Sequence, residues 1–152
     1  TMRLYPPAYF VGRRATVDTN IAGHRIPAGT TVFVVIRELH RRPESWPEPD
    51  LFRPERFLGA ARSSIPAGAY LPFGAGPRIC IGNHFALLEG TLILSAFARS
   101  LRLARARPAP TPTAQPLITL RPKEPIRLLA QPLVEGPQPP RLEAVRVSVS
   151  SG

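Results

Sequence analysis

The stretch "PFGAGPRICIG", residues 72–82, contains the only cysteine of the 152-residue chain, Cys80, with glycines on both sides of it. Glycine has no Cβ atom, so Gly74, Gly76 and Gly82 permit tight turns and a close approach of the backbone to a bulky group. A single cysteine excludes an intramolecular disulfide, which leaves a buried structural residue, a reactive thiol or a metal ligand. The stretch therefore predicts a loop built around one thiol.

A helix is expected directly after this loop. Apolar residues recur at three- and four-residue steps from Asn83 to about Leu103, which is the strongest helical pattern in the chain. Apolar side chains also occupy its other faces, a pattern that predicts burial on most sides. The positive end of this helix would face the sulfur of Cys80 and favour its thiolate form. Nearby, Arg78 offers a cation to a carboxylate or phosphate.

The residues alone leave several interpretations of Cys80 open. It is a structural cysteine beside a turn, a zinc ligand that shares a helix face with His84, or a nucleophile served by His24 or His40. A zinc site would need further cysteine or histidine ligands, which the spacing does not supply. Phosphate binding is weakly supported, because the stretch lacks the Gly-Lys-Ser/Thr end of a phosphate-binding loop.

The segments before and after the loop are short and rich in proline. Strands are predicted at "ATVDTNIAG", "HRIPAG" and "TTVFVVI", the last buried on both faces, and a short helix at "RELHRR". Trp46, Phe52 and Phe57 are expected to anchor the irregular segment 43–58 to a core, and "GAARSSIPAGAY" is predicted to be a loop. Beyond residue 107, "LITL" and "IRLL" predict strands, and residues 133–152 predict a mobile proline-rich tail.

The formal net charge of +10 comes almost wholly from arginine. The arginines are scattered, which indicates the bias of a GC-rich genome or a docking surface for an acidic partner, and no nucleic-acid partner is predicted. No apolar run approaches the roughly 18 residues of a membrane span, and no signal peptide is recognisable. The bias toward arginine and alanine and the near absence of lysine indicate a soluble bacterial parent, so a cytoplasmic location is expected, while any membrane anchor would lie upstream of this sequence.

Three motifs give the chain a specific family resemblance. The stretch around Cys80 matches F-x-x-G-x-R-x-C-x-G, the haem-binding loop of the cytochrome P-450 family, at Phe73, Gly76, Arg78, Cys80 and Gly82. "PERF" at residues 54–57 resembles a second signature of the family, within a segment similar to its meander region. "TMRLYPP" resembles the end of the family's E-x-x-R helix, with Arg3 as the arginine and the glutamate expected one place before Thr1.

This resemblance implies a fold for residues 1–132. They would form the C-terminal third of the cytochrome P-450 fold, which is mainly α with small β-sheets in the whole enzyme and α+β in this segment. In chain order the resemblance implies the end of the E-x-x-R helix, a β-hairpin, the meander, the cysteine loop, a helix and a terminal β-hairpin.

The resemblance also implies roles for the residues around the thiol. Cys80 would be the axial thiolate on the iron of haem b and thereby the catalytic and metal-binding residue. Phe73 would pack beside the thiolate, and Gly76 would let the porphyrin approach. Backbone amides around Ile81 and Gly82 would donate hydrogen bonds to the sulfur.

Four arginines receive roles by the same resemblance. Arg78 would bind a haem propionate, and Arg13, five residues before Asp18 as in the family, would bind the second. Arg3 and Arg56 would belong to a structural Glu-Arg-Arg cluster that ties the helix to the meander. Without the glutamate, these two cations would need solvent or another partner.

The activity implied is that of a haem-thiolate monooxygenase, which inserts one atom of O2 into a small organic substrate. Electrons would come from NAD(P)H through a ferredoxin, flavodoxin or reductase that docks on the Cys80 face. The proton-delivering helix of the family lies outside this sequence, so the chain by itself is expected to be inactive. The alternatives are a non-catalytic truncated remnant that binds haem weakly or not at all, and a basic scaffold whose tail, with Pro137 and Pro140, binds partners.

Overall fold

The computed structural model describes residues 1–107 and 112–133. The tail predicted from residue 133, with its PxxP pattern, therefore lies outside the described residues except for Leu133, whose amide donates a hydrogen bond to the Ser100 carbonyl (2.8 Å). The chain forms two compact units. The first contains Thr1–Ile79 and Pro116–Arg121, and the second contains Cys80–Gln115 and the described residues from Pro122 onward.

Two antiparallel strand pairs lie in the first unit: β1 (Val11–Arg14) with β4 (Thr31–Val34), and β2 (Thr19–Ile21) with β3 (His24–Ile26). The strands predicted from the sequence are thus present, but the expected burial of the last one on both faces is wrong. Among the described strands β4 pairs with β1 alone, and Phe33 is 58% exposed.

Two short helices follow in the first unit. The predicted helix at "RELHRR" is confirmed as α1 (Ile36–Leu39). A second helix, α2 (Gly59–Ser63), forms where a loop was expected. Its sequence "GAARS" contains two alanines and an arginine, which are good helix formers. Their helix propensity explains why a helix forms in a segment whose polar, small residues predicted a loop.

Aromatic side chains build the core of the first unit. Trp46 is 1% exposed and donates from Nε1 to the Ala69 carbonyl (3.2 Å). Tyr70 stacks at a tilt on Phe57, with ring centroids 4.9 Å apart. The expectation that aromatic residues anchor the meander-like segment holds for Trp46 and Phe57, whereas Phe52 is 64% exposed and does not contribute.

The second unit contains the long helix that the sequence predicted. α3 spans Asn83–Ser100, and the chain then enters strand β5 (Leu101–Arg105), which pairs antiparallel with β8 (Leu128–Pro132). The chain between β5 and β8 contains a further two-stranded sheet, of β6 (Ala114–Pro116) and β7 (Leu120–Pro122), whose residues Pro116–Arg121 belong to the first unit. The helix ends earlier than expected because pairing with β8 takes Leu101 and the residues after it into a strand.

The apolar surface of α3 is uncovered. None of its residues is buried, and seven large apolar side chains are exposed: Phe85, Leu87, Leu88, Leu92, Ile93, Leu94 and Phe97. The burial predicted on most sides of this helix is therefore absent from the second unit. None of the helices in residues 1–107 and 112–133 is long and apolar enough to cross a bilayer.

Candidate functional site

The loop that leads to the single cysteine consists of tight turns. The Gly74 amide donates to the Leu71 carbonyl (3.0 Å), and the Ile79 amide donates to the Gly76 carbonyl (3.0 Å). Gly74 and Gly76 have φ values of 74° and 72°, the left-handed region that residues with a Cβ atom rarely adopt. A Cβ atom added at either position would meet nothing within 4 Å. The backbone conformation, not crowding, therefore requires these glycines, and the space beside them is open.

Cys80 is the first residue of the second unit, and its side chain is exposed. The amide of Asn83, at the start of α3, donates to the Cys80 carbonyl (3.4 Å). Within the described chain, the amides of Ile81 and Gly82 have no hydrogen-bond partner. A Cβ atom at Gly82 would lie 4.0 Å from the sulfur of Cys80, an ordinary contact. The thiol and two neighbouring N–H donors are thus all available to an external group.

The two arginines expected to bind propionates are exposed and lie in the first unit. Arg78 has no hydrogen-bond or ion-pair partner among the described residues. Arg13 donates only to the adjacent Gly12 carbonyl (2.8 Å). Asp18 does not neutralise Arg13, because Arg25 binds the Asp18 carboxylate (2.8 Å) and lowers its pKa. Both guanidinium groups can therefore receive an external carboxylate.

Phe73 is half-buried in the first unit, and its packing beside the thiol stays a prediction. Gly76 is the first residue of the turn Gly76–Arg78, and its role in the approach of the porphyrin stays a prediction. Residues 1–107 and 112–133 contain no group of three His, Cys, Asp or Glu side chains that could hold a metal ion. A zinc site of protein ligands would need such a group.

Arg3 is 3% exposed, and backbone carbonyls supply the partners that it was expected to need. Its guanidinium donates to the carbonyls of His40 (2.9 Å), Pro49 (2.6 Å) and Leu51 (2.9 Å). It also lies over the Trp46 ring, 5.2 Å from the centroid. Burial lowers the pKa of Arg3, and the nearby cations add to this effect. The arginine thus ties the opening turn of the chain to the meander-like segment.

Arg56 makes a similar set of contacts. Its Nη2 atom donates to the carbonyls of Pro47 (2.5 Å) and Glu48 (3.0 Å), while its buried Nε atom has no partner among the described residues. Coulombic repulsion from Arg56 and Arg41 helps to lower the pKa of Arg3, so three cations lie near one another. That Arg3 and Arg56 form one structural cluster together with a carboxylate, as the resemblance implies, stays a prediction.

His40 is a residue that the sequence interpretation undervalued. It was considered only as a remote base, yet its side chain is fully buried at the end of α1. Its Nε2 atom accepts a hydrogen bond from the Leu71 amide (2.8 Å), 31 residues further along the chain. No local sequence pattern indicates such a contact, because the two partners are brought together only by folding.

Comparison with known proteins identifies the family of these features. The family model for cytochrome P450 matches residues 1–130. The chain is 46% identical over 102 residues to thromboxane-A synthase of Sus scrofa, covering 67% of this chain and 19% of that protein. It is 38% identical over 138 residues to cyclooctatin synthase of Streptomyces melanosporofaciens, covering 91% of this chain and 28% of that protein.

A solved structure agrees with these matches. The crystal structure of the cytochrome P450DA heme domain superposes with a TM-score of 0.79 at 30% identity, over 86% of this chain and 29% of that chain. The matching region is thus a limited part of each relative, and the chain spans less than a third of their length.

Proposed function

Because the chain belongs to the cytochrome P450 family, we propose that it supplies the proximal haem-binding part of a haem-thiolate monooxygenase. The reaction would insert one atom of O2 into a small organic substrate. The other atom would be reduced to water with two protons and with two electrons from NAD(P)H, delivered through a redox partner. The short span of the chain relative to its relatives is the reason for assigning it one side of the haem and not the whole site.

One observation carries this proposal: an exposed thiol beside two N–H groups that have no partner in the described chain. Cys80 would bind the iron through its thiolate, and the amides of Ile81 and Gly82 would donate to the sulfur, which moderates its electron donation. When bound, an iron with an axial thiolate favours cleavage of the O–O bond. The open space beside Gly74 and Gly76 fits the approach of a flat, bulky group.

Two arginines would bind the propionate carboxylates of the haem. Arg78 and Arg13 are exposed and keep donors without strong partners, so each can form charge-assisted hydrogen bonds to a propionate. Such pairs orient a planar carboxylate because guanidinium donors form a rigid fork. Arg3 and Arg56 take no part in this binding and instead hold the meander-like segment in place.

The partners follow from the same assignment. A ferredoxin, flavodoxin or reductase would dock on the Cys80 face, and the excess of arginine would attract an acidic protein. The substrate would be a small organic molecule. We assign the protein to the cytoplasm, together with its soluble electron donor.

A second candidate, a non-catalytic remnant, is favoured by one observation. The exposed apolar side chains of α3 leave the second unit without a buried core of its own in the described residues. A chain that cannot cover this helix would hold haem weakly or not at all, because poor packing would not order the loop.

Two experiments separate the candidates. The full-length gene product, reduced and exposed to CO, should show the red-shifted Soret band of a thiolate-bound haem, and Cys80→His should abolish it. His24→Gln, a change at an exposed histidine of β3, serves as the control and should leave the band unaltered. Absence of the band in the unmodified protein would refute the monooxygenase proposal.

The second experiment uses the 152-residue chain itself. Haem titration of the purified chain is expected to give weak, poorly specific binding if a longer protein is needed to complete the site. A tight complex of one haem per chain that is lost in Cys80→Ser would show instead that the chain is a competent haem module, and would exclude the remnant.

A further inference from the structure

His40 joins two segments that are distant in sequence. Its ring is 0% exposed, and Nε2 accepts the Leu71 amide hydrogen at 2.8 Å. Leu71 immediately precedes Pro72, the first residue of the cysteine loop. The same ring contacts Tyr70, with centroids 5.1 Å apart. The start of the cysteine loop is therefore attached to the end of α1 through one imidazole.

The direction of this hydrogen bond fixes the protonation state of the ring. Nε2 can accept a hydrogen only when it carries none, so the neutral imidazole must hold its own hydrogen on Nδ1. Nδ1 is buried and has no hydrogen-bond partner among the described residues. A protonated ring would place an N–H group at Nε2, facing the N–H group of Leu71. The link consequently exists only while His40 is neutral.

We propose that neutral His40 positions the cysteine loop by accepting the Leu71 amide hydrogen, and that protonation of its ring releases the loop and weakens haem retention. This inference rests on the proposed haem site and adds a positioning residue and a pH response to it. His40 acts at Leu71, which lies nine residues before Cys80. Its effect on the thiol would therefore pass through the backbone of the cysteine loop.

The groups around the ring favour the neutral form. Arg3 and Arg41 are both cations, and the Arg3 guanidinium binds the His40 carbonyl directly. Burial, aided by these charges, lowers the pKa of His40 from 6.5 to about 4. The backbone carbonyls of Met2 and Arg3 oppose this shift, although neither forms a well-directed hydrogen bond with Nδ1. Tyr70 contributes a ring contact and its pKa is raised by burial, so it stays neutral.

The test uses two substitutions in the full-length gene product. Gln in place of His40 can present an acceptor oxygen near the position of Nε2 but cannot be protonated, whereas Leu presents no acceptor. His24→Gln is the matched control, because His24 is exposed on β3. The readouts are the ferrous-CO band of thiolate-bound haem as the pH falls, and the protection factor of the Leu71 amide (its exchange rate relative to the intrinsic rate at the same pH) in the haem-free protein.

The unmodified protein should lose the thiolate band on acidification, and the Leu71 amide should lose its protection, relative to the intrinsic exchange rate at each pH, in the same pH range. His40→Gln should move both transitions to lower pH, His24→Gln should move neither, and His40→Leu should show fast Leu71 exchange already at neutral pH. Equal midpoints and equal Leu71 exchange in the unmodified protein and His40→Gln would overturn the inference, even if His40→Leu fails to fold.

The two proposals fail in different ways. A missing thiolate band at every pH would refute the haem site, while the Leu71 exchange rates would still report on the His40 link. A normal band, together with a Leu71 protection factor that changes neither with pH nor in His40→Gln, would refute only the link.

Discussion

Arg3 and His40 are joined in the interior of the first unit: Nη1 of Arg3 donates to the His40 carbonyl across 2.9 Å. The ring of His40 in turn holds the Leu71 amide. The opening turn of the chain, the end of α1 and the start of the cysteine loop are therefore connected by two successive hydrogen bonds. The position of the loop depends on buried polar groups far from it in sequence.

Replacement of Arg3 by methionine should lower the free energy of unfolding by about 2–4 kcal/mol, because three backbone carbonyls would lose a charged donor. Urea unfolding of the purified chain followed by Trp46 fluorescence measures this change, since the indole lies against Arg3. Arg25→Met is the control and should change little, because its ion pair with Asp18 is exposed. Equal effects at the two positions would contradict the buried role of Arg3.

Two glycines should respond to alanine with opposite signs. A Cβ atom added at Gly76 or Gly90 would meet nothing within 4 Å, so neither change causes a steric clash. Gly76 has a φ of 72°, and Gly76→Ala should cost roughly 1–2 kcal/mol in unfolding free energy. Gly90 lies inside α3, where alanine should stabilise the chain by about 0.5–1 kcal/mol. Thermal unfolding of both variants measures the two stability changes. A loss of stability in Gly90→Ala would contradict the prediction and indicate a close contact at this position.

The sequence predicts best what depends on neighbouring residues. The start of α3 at Asn83 and the helix α1 follow from local spacing, and both are present. The end of α3 at Ser100 could not be predicted from local spacing, because the next residue, Leu101, joins a strand and pairs with Pro132, 31 residues later. Non-local pairing here overrides a continuous apolar pattern.

In the candidate site, too, local features could be predicted from the sequence and non-local contacts could not. The motif around Cys80 is contiguous, so its turns and glycines could be inferred from the sequence. The His40 link could not, because a histidine in "RELHRR" carries no signal for a partner at Leu71. Burial was also overestimated: the apolar patterns of β4 and α3 indicate covered faces, yet Phe33 and Leu88 are 58% and 61% exposed in the described structure.

The stability of the haem-free chain should decrease with acid because of His40. Its folded-state pKa of about 4 lies below the ordinary 6.5, so the unfolded state binds the proton more readily. The stabilisation from the neutral ring is complete above pH 6.5 and is lost as the pH falls toward 4. His40 alone should make the chain about 2 kcal/mol less stable at pH 5 than at pH 7.

Urea unfolding at these two pH values measures the difference, and His40→Gln should reduce it by a similar amount. His84→Gln, at an exposed position, is the control and should keep the full pH dependence. An unchanged pH dependence in His40→Gln would mean that other groups are responsible.

The uncovered apolar surface of α3 should cause self-association of the isolated chain. Leu88 and Leu92 are 61% and 60% exposed and lie one turn apart. Leu88→Glu with Leu92→Lys would remove this surface and add a favourable i,i+4 ion pair, so the helix should persist while association falls. Sedimentation velocity and circular dichroism test both parts, with Glu89→Gln as the control. Loss of helical signal in the double variant would show that these leucines pack within the chain.

The exposed thiol provides the most direct test of the haem site in the isolated chain. Cys80 should react readily with a thiol reagent without denaturant, because its side chain is exposed, and added haem should slow the reaction by occupying the sulfur. The matched control moves the thiol: Cys80→Ser with Ser64→Cys places an exposed cysteine just after α2. Because binding to the isolated chain is expected to be weak, haem is added in excess, and it should protect that cysteine less than Cys80. Equal protection of both thiols would indicate non-specific haem adsorption, and protection of neither would refute iron ligation by Cys80 in this chain.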